Sequence, residues 1–331
     1  MNFERADKIA KAVLYEGYML YPYRPSSVKN RQRWNFGVVY PQAYSDAQGG
    51  EEPCSMQTQC LVCGNAGVSI EVKLRFLHLQ TRSVQVSTEP RPEVRTSSLP
   101  DGWQEAVERE ISVPELTIAA LLGGTTSAFV FPSQTRVDCE RDGMVERRQQ
   151  AVAGTIAVSA ESVGEDSFRV SVHVQNLAPM EIPAADRDAA LLHSLVSTHT
   201  ILGVNGGEFV SLLEPPAELQ ELASSCKNVG AWPVLVGDAG QRDTMLASPI
   251  ILYDYPQIAP ESPGDLFDGT EIDEILSLRI MTLTDEEKRE IRESDDRARQ
   301  ILERTDAMPV EQFMKLHGAM RSLRSLKEEA S

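Results

Sequence analysis

The chain has 331 residues, with 49 acidic against 32 basic side chains and a formal net charge of −17 when the histidines are neutral. A carboxylate excess of that size repels nucleic acid and anionic lipid, and no apolar run approaches the roughly 18 residues that a membrane span needs. The length can bury one large core or two modest ones, and 41% hydrophobic residues keeps the chain clear of disordered compositions.

The N-terminus, MNFERADKIAKAVLYEG, carries charges where a secretory signal needs an unbroken apolar run. Ile9, Val13 and Leu14 instead predict a short helix from Asp7 to about Tyr15. An aromatic and basic stretch, Leu20–Pro41, follows; Pro22 and Pro25 deny it a long helix, and Trp34–Tyr40 reads as a strand. Residues 42–57 read as a polar loop. From Val68 the side chains alternate, with Val68, Ile70, Val72, Leu74 and Phe76 on one face and Glu71, Lys73 and Arg75 on the other. Period two is a half-buried strand, and Val84 and Val86 continue it. Prolines 90, 92 and 100 predict a surface loop over 88–102, and Trp103–Glu110 reads as two helical turns. The clearest hairpin joins Ala153–Val158 to Phe168–Val174 through the Gly-Glu-Asp turn at 164–166. Further short strands are predicted at Thr198–Val204, Glu208–Leu212, Trp232–Val236 and Ile250–Tyr253, and short helices at Asp186–Leu195 and Pro216–Ser225.

Residues 257–270 form a Pro/Gly-rich linker. Thr284 and Glu287 then make a capping box that opens a helix to about Arg304. Pro309 starts a second helix with Phe313, Leu316, Met320 and Leu323 on one stripe. The expected fold is therefore α+β: a mainly antiparallel β body, sandwich or barrel-like, over residues 1–256, and an acidic linker with a C-terminal helical hairpin over 257–331.

Five cysteines, an odd number, suggest no disulfide framework and point to a reducing cytoplasm. Cys54, Cys60 and Cys63 are the most metal-like group, since Cys60-Leu-Val-Cys63-Gly has the shape of a zinc knuckle. A zinc or iron–sulfur site would still need a fourth ligand, and a strand starting at Leu61 and Val62 would point Cys60 and Cys63 to opposite faces. Buried thiols are the preferred reading, with no cofactor expected and zinc as the alternative. The stretch around Arg24, Lys29, Arg31 and Arg33 is basic and flanked by Tyr21, Tyr23, Trp34, Phe36 and Tyr40. Residues 1–50 carry a net charge of +3 on this acidic chain, which suits the capture of an anionic protein surface better than nucleic acid. Residues 261–300 carry net −7, but their carboxylates miss the spacing of a calcium loop, leaving a solvated acidic surface. No GxSxG elbow, P-loop or dinucleotide fingerprint is present, and the five histidines are scattered. A hydrolase would have to assemble carboxylates such as Asp254, Asp265 and Asp268 in three dimensions.

Three stretches together, LYEGYMLYPYRPSSVKNRQRWNFGVVYP (14–41), SPIILYDYPQIAPESPGDLFDGTEIDEIL (248–276) and LRIMTLTDEEKREIRESDDRAR (278–299), resemble a bacterial protein family associated with gene clusters for [NiFe] uptake hydrogenases of the actinobacterial type. The resemblance implies an accessory, assembly or partner-binding role around a metalloenzyme and transfers no catalytic residue. The expected function is thus a non-catalytic, cytoplasmic partner-binding protein, its partner another protein such as a hydrogenase subunit. Tyr21, Tyr23, Arg24, Lys29, Arg31, Arg33 and Trp34 are the expected contact residues. A metal-binding protein using Cys54, Cys60 and Cys63, and a hydrolase, are the alternatives.

Overall fold

Alternation of apolar and polar side chains decides most of this molecule. The computed structural model describes residues 3–14, 35–85, 103–140, 143–181 and 186–257, with a few positions between 284 and 307. In chain order the elements are α1 (Phe3–Leu14), α2 (Gln42–Ala47), β1 (Ser55–Cys63), β2 (Ser69–Gln85), β3 (Trp103–Thr117), α3 (Ile118–Leu121), β4 (Thr125–Phe131), β5 (Gln134–Glu140), β6 (Gly143–Gln149), β7 (Val152–Gly164), β8 (Ser167–Asn176), α4 (Arg187–Leu191), β9 (Val196–Asn205), β10 (Glu208–Val210), a 3-10 turn (Ala217–Leu219) running into α5 (Gln220–Ser224), β11 (Trp232–Leu235) and β12 (Thr244–Ser248).

The strands form two antiparallel sheets, as expected for the β body, and neither sheet closes into a barrel. The first runs β10–β1–β8–β7–β4. In the second, β2 is the spine: β3 pairs along one edge over residues 69–82, while β9 and then β6 share the other. β12 and β11 extend the sheet beyond β9, and β5 extends it beyond β6. The sheets are joined at one end by a bent ribbon. β4 pairs with β7 in the first sheet, and their continuations β5 and β6 pair in the second. The bend falls at Pro132–Ser133 and Gln150–Ala151, so a single two-stranded unit belongs to both sheets.

Between the sheets lies one apolar cluster: Val72, Leu74 and Phe76 of β2 face Met56, Cys60 and Val62 of β1 and Val170, Val172 and Val174 of β8. The outer face of the first sheet is polar along β8, where Arg169, Ser171, His173 and Gln175 alternate with buried residues. The outer face of the second sheet is covered instead. α1 buries Ala6, Ile9, Ala10, Val13 and Leu14, the spacing of one helical stripe; the first four pack with Ile201, Val234, Val236 and Leu246, and Leu14 joins a neighbouring cluster with Leu77, Leu79 and Val196. Asp7 then meets Lys73 at 3.1 Å and Arg75 at 3.3 Å, and Arg75 also reaches Glu108 at 3.1 Å, so polar residues tie the same helix to β2 and β3.

Several expectations change. Trp103–Glu110 is strand, not helix: Val107, Arg109, Ile111 and Val113 alternate with Glu108, Glu110 and Ser112, and pairing along β2 overrides the helix preference of glutamate. Pro114 is tolerated because it sits in a bulge on an edge strand, where Pro114 and Glu115 together oppose Glu71. Residues 35–40 make one isolated bridge, Val39 with Leu195, rather than a strand. The loop predicted at 42–57 holds α2 and the start of β1. Ile250–Tyr253 is irregular, and the strand lies just before it, in β12. The predicted C-terminal hairpin lies outside the described residues, apart from positions such as Lys288, whose N–H donates to the Thr284 carbonyl at 2.9 Å.

Candidate functional site

A cleft of about 310 Å³ opens where residues 35–40, the start of β1, the start of α4, the start of β11 and the turn after β12 meet. Backbone pairing positions each wall. Val39 and Leu195 exchange two hydrogen bonds (2.8 and 3.1 Å), and Tyr40 N–H donates to the Pro53 carbonyl at 2.8 Å. Gln57 and Val229 exchange another pair (3.0 and 2.9 Å), which brings Gly230 to the cleft. Asn176, fully buried, donates from Nδ2 to the carbonyls of Val39 (2.8 Å) and His193 (2.9 Å) and accepts from Ala178 N–H (2.8 Å). At the back, Gly37 has φ +53°, and a Cβ there would stand 2.5 Å from the Pro249 ring, so only glycine fits. Asp186 caps α4 by accepting from Asp188 N–H at 3.0 Å, which places Arg187 on the cleft wall.

The lining is apolar with a few polar exceptions. Val38, Met56 and Pro249 are buried, while Phe36 and Trp232 stand at the mouth with 43% and 44% of their surface exposed. Asn35 Oδ1 and Nδ2 and the Tyr40 hydroxyl are all shielded from water, and none makes a hydrogen bond. Buried polar atoms left in that condition cost about 1–3 kcal/mol each. Burial pushes the Tyr40 hydroxyl up to about 12; Arg187 opposes this and Glu52 adds to it. Both charged groups thus lie near that hydroxyl, Arg187 close enough to favour its ionised form in the way a hydrogen-bond donor does, although that contact falls short of hydrogen-bond geometry.

Two other polar clusters lie inside the fold. Ser248 O–H donates to His199 Nε2 (3.2 Å), and His199 Nδ1–H donates to the Ser197 carbonyl (2.8 Å), which fixes the tautomer. Ser197 itself has φ +53°. This resembles a nucleophile and base, yet Ser248 and His199 are both 0% exposed, and burial pulls the imidazole down to about 4. At the ribbon bend, His78 Nε2–H donates to the Gln150 carbonyl (3.0 Å) beside Arg109 and Phe131. Burial lowers His78 to about 4 and lowers His193 as well.

The cysteines separate. Cys60 points into the inter-sheet core, where burial raises its thiol, and Cys63 points to the opposite face, against the cluster of Leu61, Val210 and Ala223. Cys54 donates to Gln42 Oε1 at 3.3 Å. A metal bound by Cys60 and Cys63 together would require β1 to leave its sheet. No three His, Cys, Asp or Glu side chains converge among the described residues. Asp254, named for the hydrolase alternative, accepts from Leu235 N–H (2.7 Å) and from the Ser211 hydroxyl, while Asp265 and Asp268 lie outside the described residues. Tyr21, Tyr23, Arg24, Lys29, Arg31, Arg33 and Trp34 also lie outside them. Of the flanking aromatics, Phe36 and Tyr40 do reach the cleft. Sequence reasoning missed Asn35, Glu52, Arg187 and Trp232, which come from four separate segments and have no local spacing that could have revealed them.

No protein-family model matches the chain, and no curated protein is similar to it in sequence. No helix among the described residues is long and apolar enough to cross a membrane.

Proposed function

We propose that this chain is a non-catalytic binding protein whose recognition site is the cleft between Asn35, Tyr40, Arg187 and Trp232. The observation that carries this reading is the set of unpartnered polar atoms on Asn35 and Tyr40 behind a half-exposed aromatic mouth. Their hydrogen-bonding capacity is met when a bound group supplies the complement. These side chains orient rather than react, and the serine–histidine pair formed by Ser248 and His199 is sealed within the core. Asn35 directly follows the basic and aromatic stretch expected to contact a partner. The resemblance to the hydrogenase-associated family makes a [NiFe] hydrogenase subunit the first partner to test.

The test mixes the purified full-length protein with purified hydrogenase large and small subunits and measures complex formation by calorimetry. The expected result is a complex that Trp232→Ala weakens at least about tenfold, the scale of an aromatic contact at a binding surface. No complex with either subunit would reject the hydrogenase, and a complex indifferent to Trp232→Ala would reject the cleft as its contact.

A further inference from the structure

We propose that the cleft binds a small zwitterion with an apolar body, the free α-amino acids with large apolar side chains, the carboxylate on Arg187 and the ammonium on Glu52. This rests on reading the cleft as a binding site.

The charges on the cleft wall are balanced. One cation and one anion face the same buried hydroxyl, that of Tyr40, and both line the cleft. They make no ion pair with each other, and neither has an ion-pair partner among the described residues. A ligand carrying both charges satisfies both groups at once. A phosphate would confront Glu52, and a divalent cation would confront Arg187. A guanidinium also presents paired N–H donors that match a carboxylate.

The neutral groups fit the same ligand. Asn35 offers an acceptor in Oδ1 for an ammonium N–H and a donor in Nδ2 for a carboxylate oxygen, and both atoms are buried without partners. The Tyr40 hydroxyl stays protonated at neutral pH and donates to an anion. A hydrocarbon would leave all three atoms unpaired. The remaining lining, Val38, Met56 and Pro249 with Phe36 and Trp232 at the mouth, suits an apolar side chain. A volume of about 310 Å³ lies at the small end of ligand sites, which run from about 300 to 1,000 Å³, and so favours a compact metabolite.

The experiment is calorimetric titration of the full-length protein with L-leucine, L-methionine and L-phenylalanine, alongside N-acetyl-L-leucine and L-leucinamide. The first derivative removes the ammonium, the second the carboxylate. At least one free amino acid is expected to bind, with its capped forms at least about tenfold weaker. Glu52→Gln should abolish the discrimination against the N-acetyl form, and Arg187→Gln the discrimination against the amide. Glu52 is half-buried and Arg187 exposed, so both variants should keep the fold, which circular dichroism checks. Absence of binding by all three amino acids at about 10 mM, well above a millimolar dissociation constant, would overturn the proposal. Capped forms binding as tightly as the free amino acid would overturn it too, and would assign the cleft to a peptide instead. If no amino acid binds while a partner complex still weakens with Trp232→Ala, only this inference falls. If Trp232→Ala changes neither, the cleft reading itself falls.

Discussion

Tyr40 separates stability from binding. Its hydroxyl is buried and unpartnered, so Tyr40→Phe removes an unmet polar group and leaves the ring stacked against Tyr44 at 5.1 Å. The variant is expected to be unchanged or more stable by about 1 kcal/mol in urea melts while binding at the cleft more weakly. A clear loss of stability would mean that the hydroxyl is satisfied in solution. Asn176 behaves in the opposite way. In a fully buried position its amide holds Val39 and His193 together with two hydrogen bonds and accepts a third from Ala178, so Asn176→Ala should cost about 2–4 kcal/mol and distort the cleft wall. The histidines set the response to acid. His78, beside Arg109 and His193, and His199, beside Arg75, are lowered by burial from 6.5 to about 4. Between those values the unfolded chain binds more protons than the folded one. Stability is therefore complete above pH 6.5 and is lost as the pH falls toward 4. By pH 5 each fully buried imidazole contributes a loss of about 2 kcal/mol, visible as a falling urea midpoint. A midpoint flat from pH 7 to 5, or imidazole NMR shifts titrating near 6.5, would contradict this account.

At the scale of elements, β2 and the bent ribbon do most to hold the two sheets together. Phe76 of β2 is fully buried and packs its ring against Phe129 (6.3 Å between centroids) and Phe131 (5.8 Å) of β4. Phe76→Ala should cost about 3–5 kcal/mol, because it removes a buried ring that packs β2 of the second sheet on β4 of the first beside the bend. β1 predicts a pattern of thiol chemistry. Cys60 is fully buried between the sheets, while Cys139 on β5 is exposed. In native protein a thiol reagent followed by peptide mass mapping should label Cys139 first and Cys60 only on unfolding. Early labelling of Cys60 would mean that β1 is not held where the structure places it. α1 shows how two kinds of contact share one helix: its apolar stripe supplies area, and Asp7, between Lys73 and Arg75, fixes its rotation on the sheet.

Across the described residues, a single apolar cluster is shared by both sheets, and the ribbon links them covalently and by hydrogen bonds. Neither sheet can expose its inner face without opening the other. Amides of the β1–β8 pair and of the β2–β9 pair should therefore lose protection at the same denaturant concentration in hydrogen exchange. Two well-separated transitions would show that the sheets unfold independently.

The β class was legible because alternation is local. Val68–Phe76 and Phe168–Val174 declare their buried faces residue by residue, and the turn at 165–166 sits inside the one predicted from Gly164, Glu165 and Asp166. The separation of Cys60 from Cys63 followed from the same period of two. The stripe of α1 was equally plain, though the helix begins earlier than the spacing of Ile9, Val13 and Leu14 suggested. β3 escaped because its exposed glutamates favour helix in isolation, and only the long edge of β2 outweighs that preference. The cleft was illegible for a stronger reason. Phe36 and Tyr40 stood out as aromatics, but Asn35, Glu52, Arg187 and Trp232 acquire meaning only where four distant segments converge. Local patterning determines which face of a strand or helix is buried, since that depends on neighbours along the chain. Which polar atoms are then left without partners depends on neighbours in space, and the tertiary structure alone decides that.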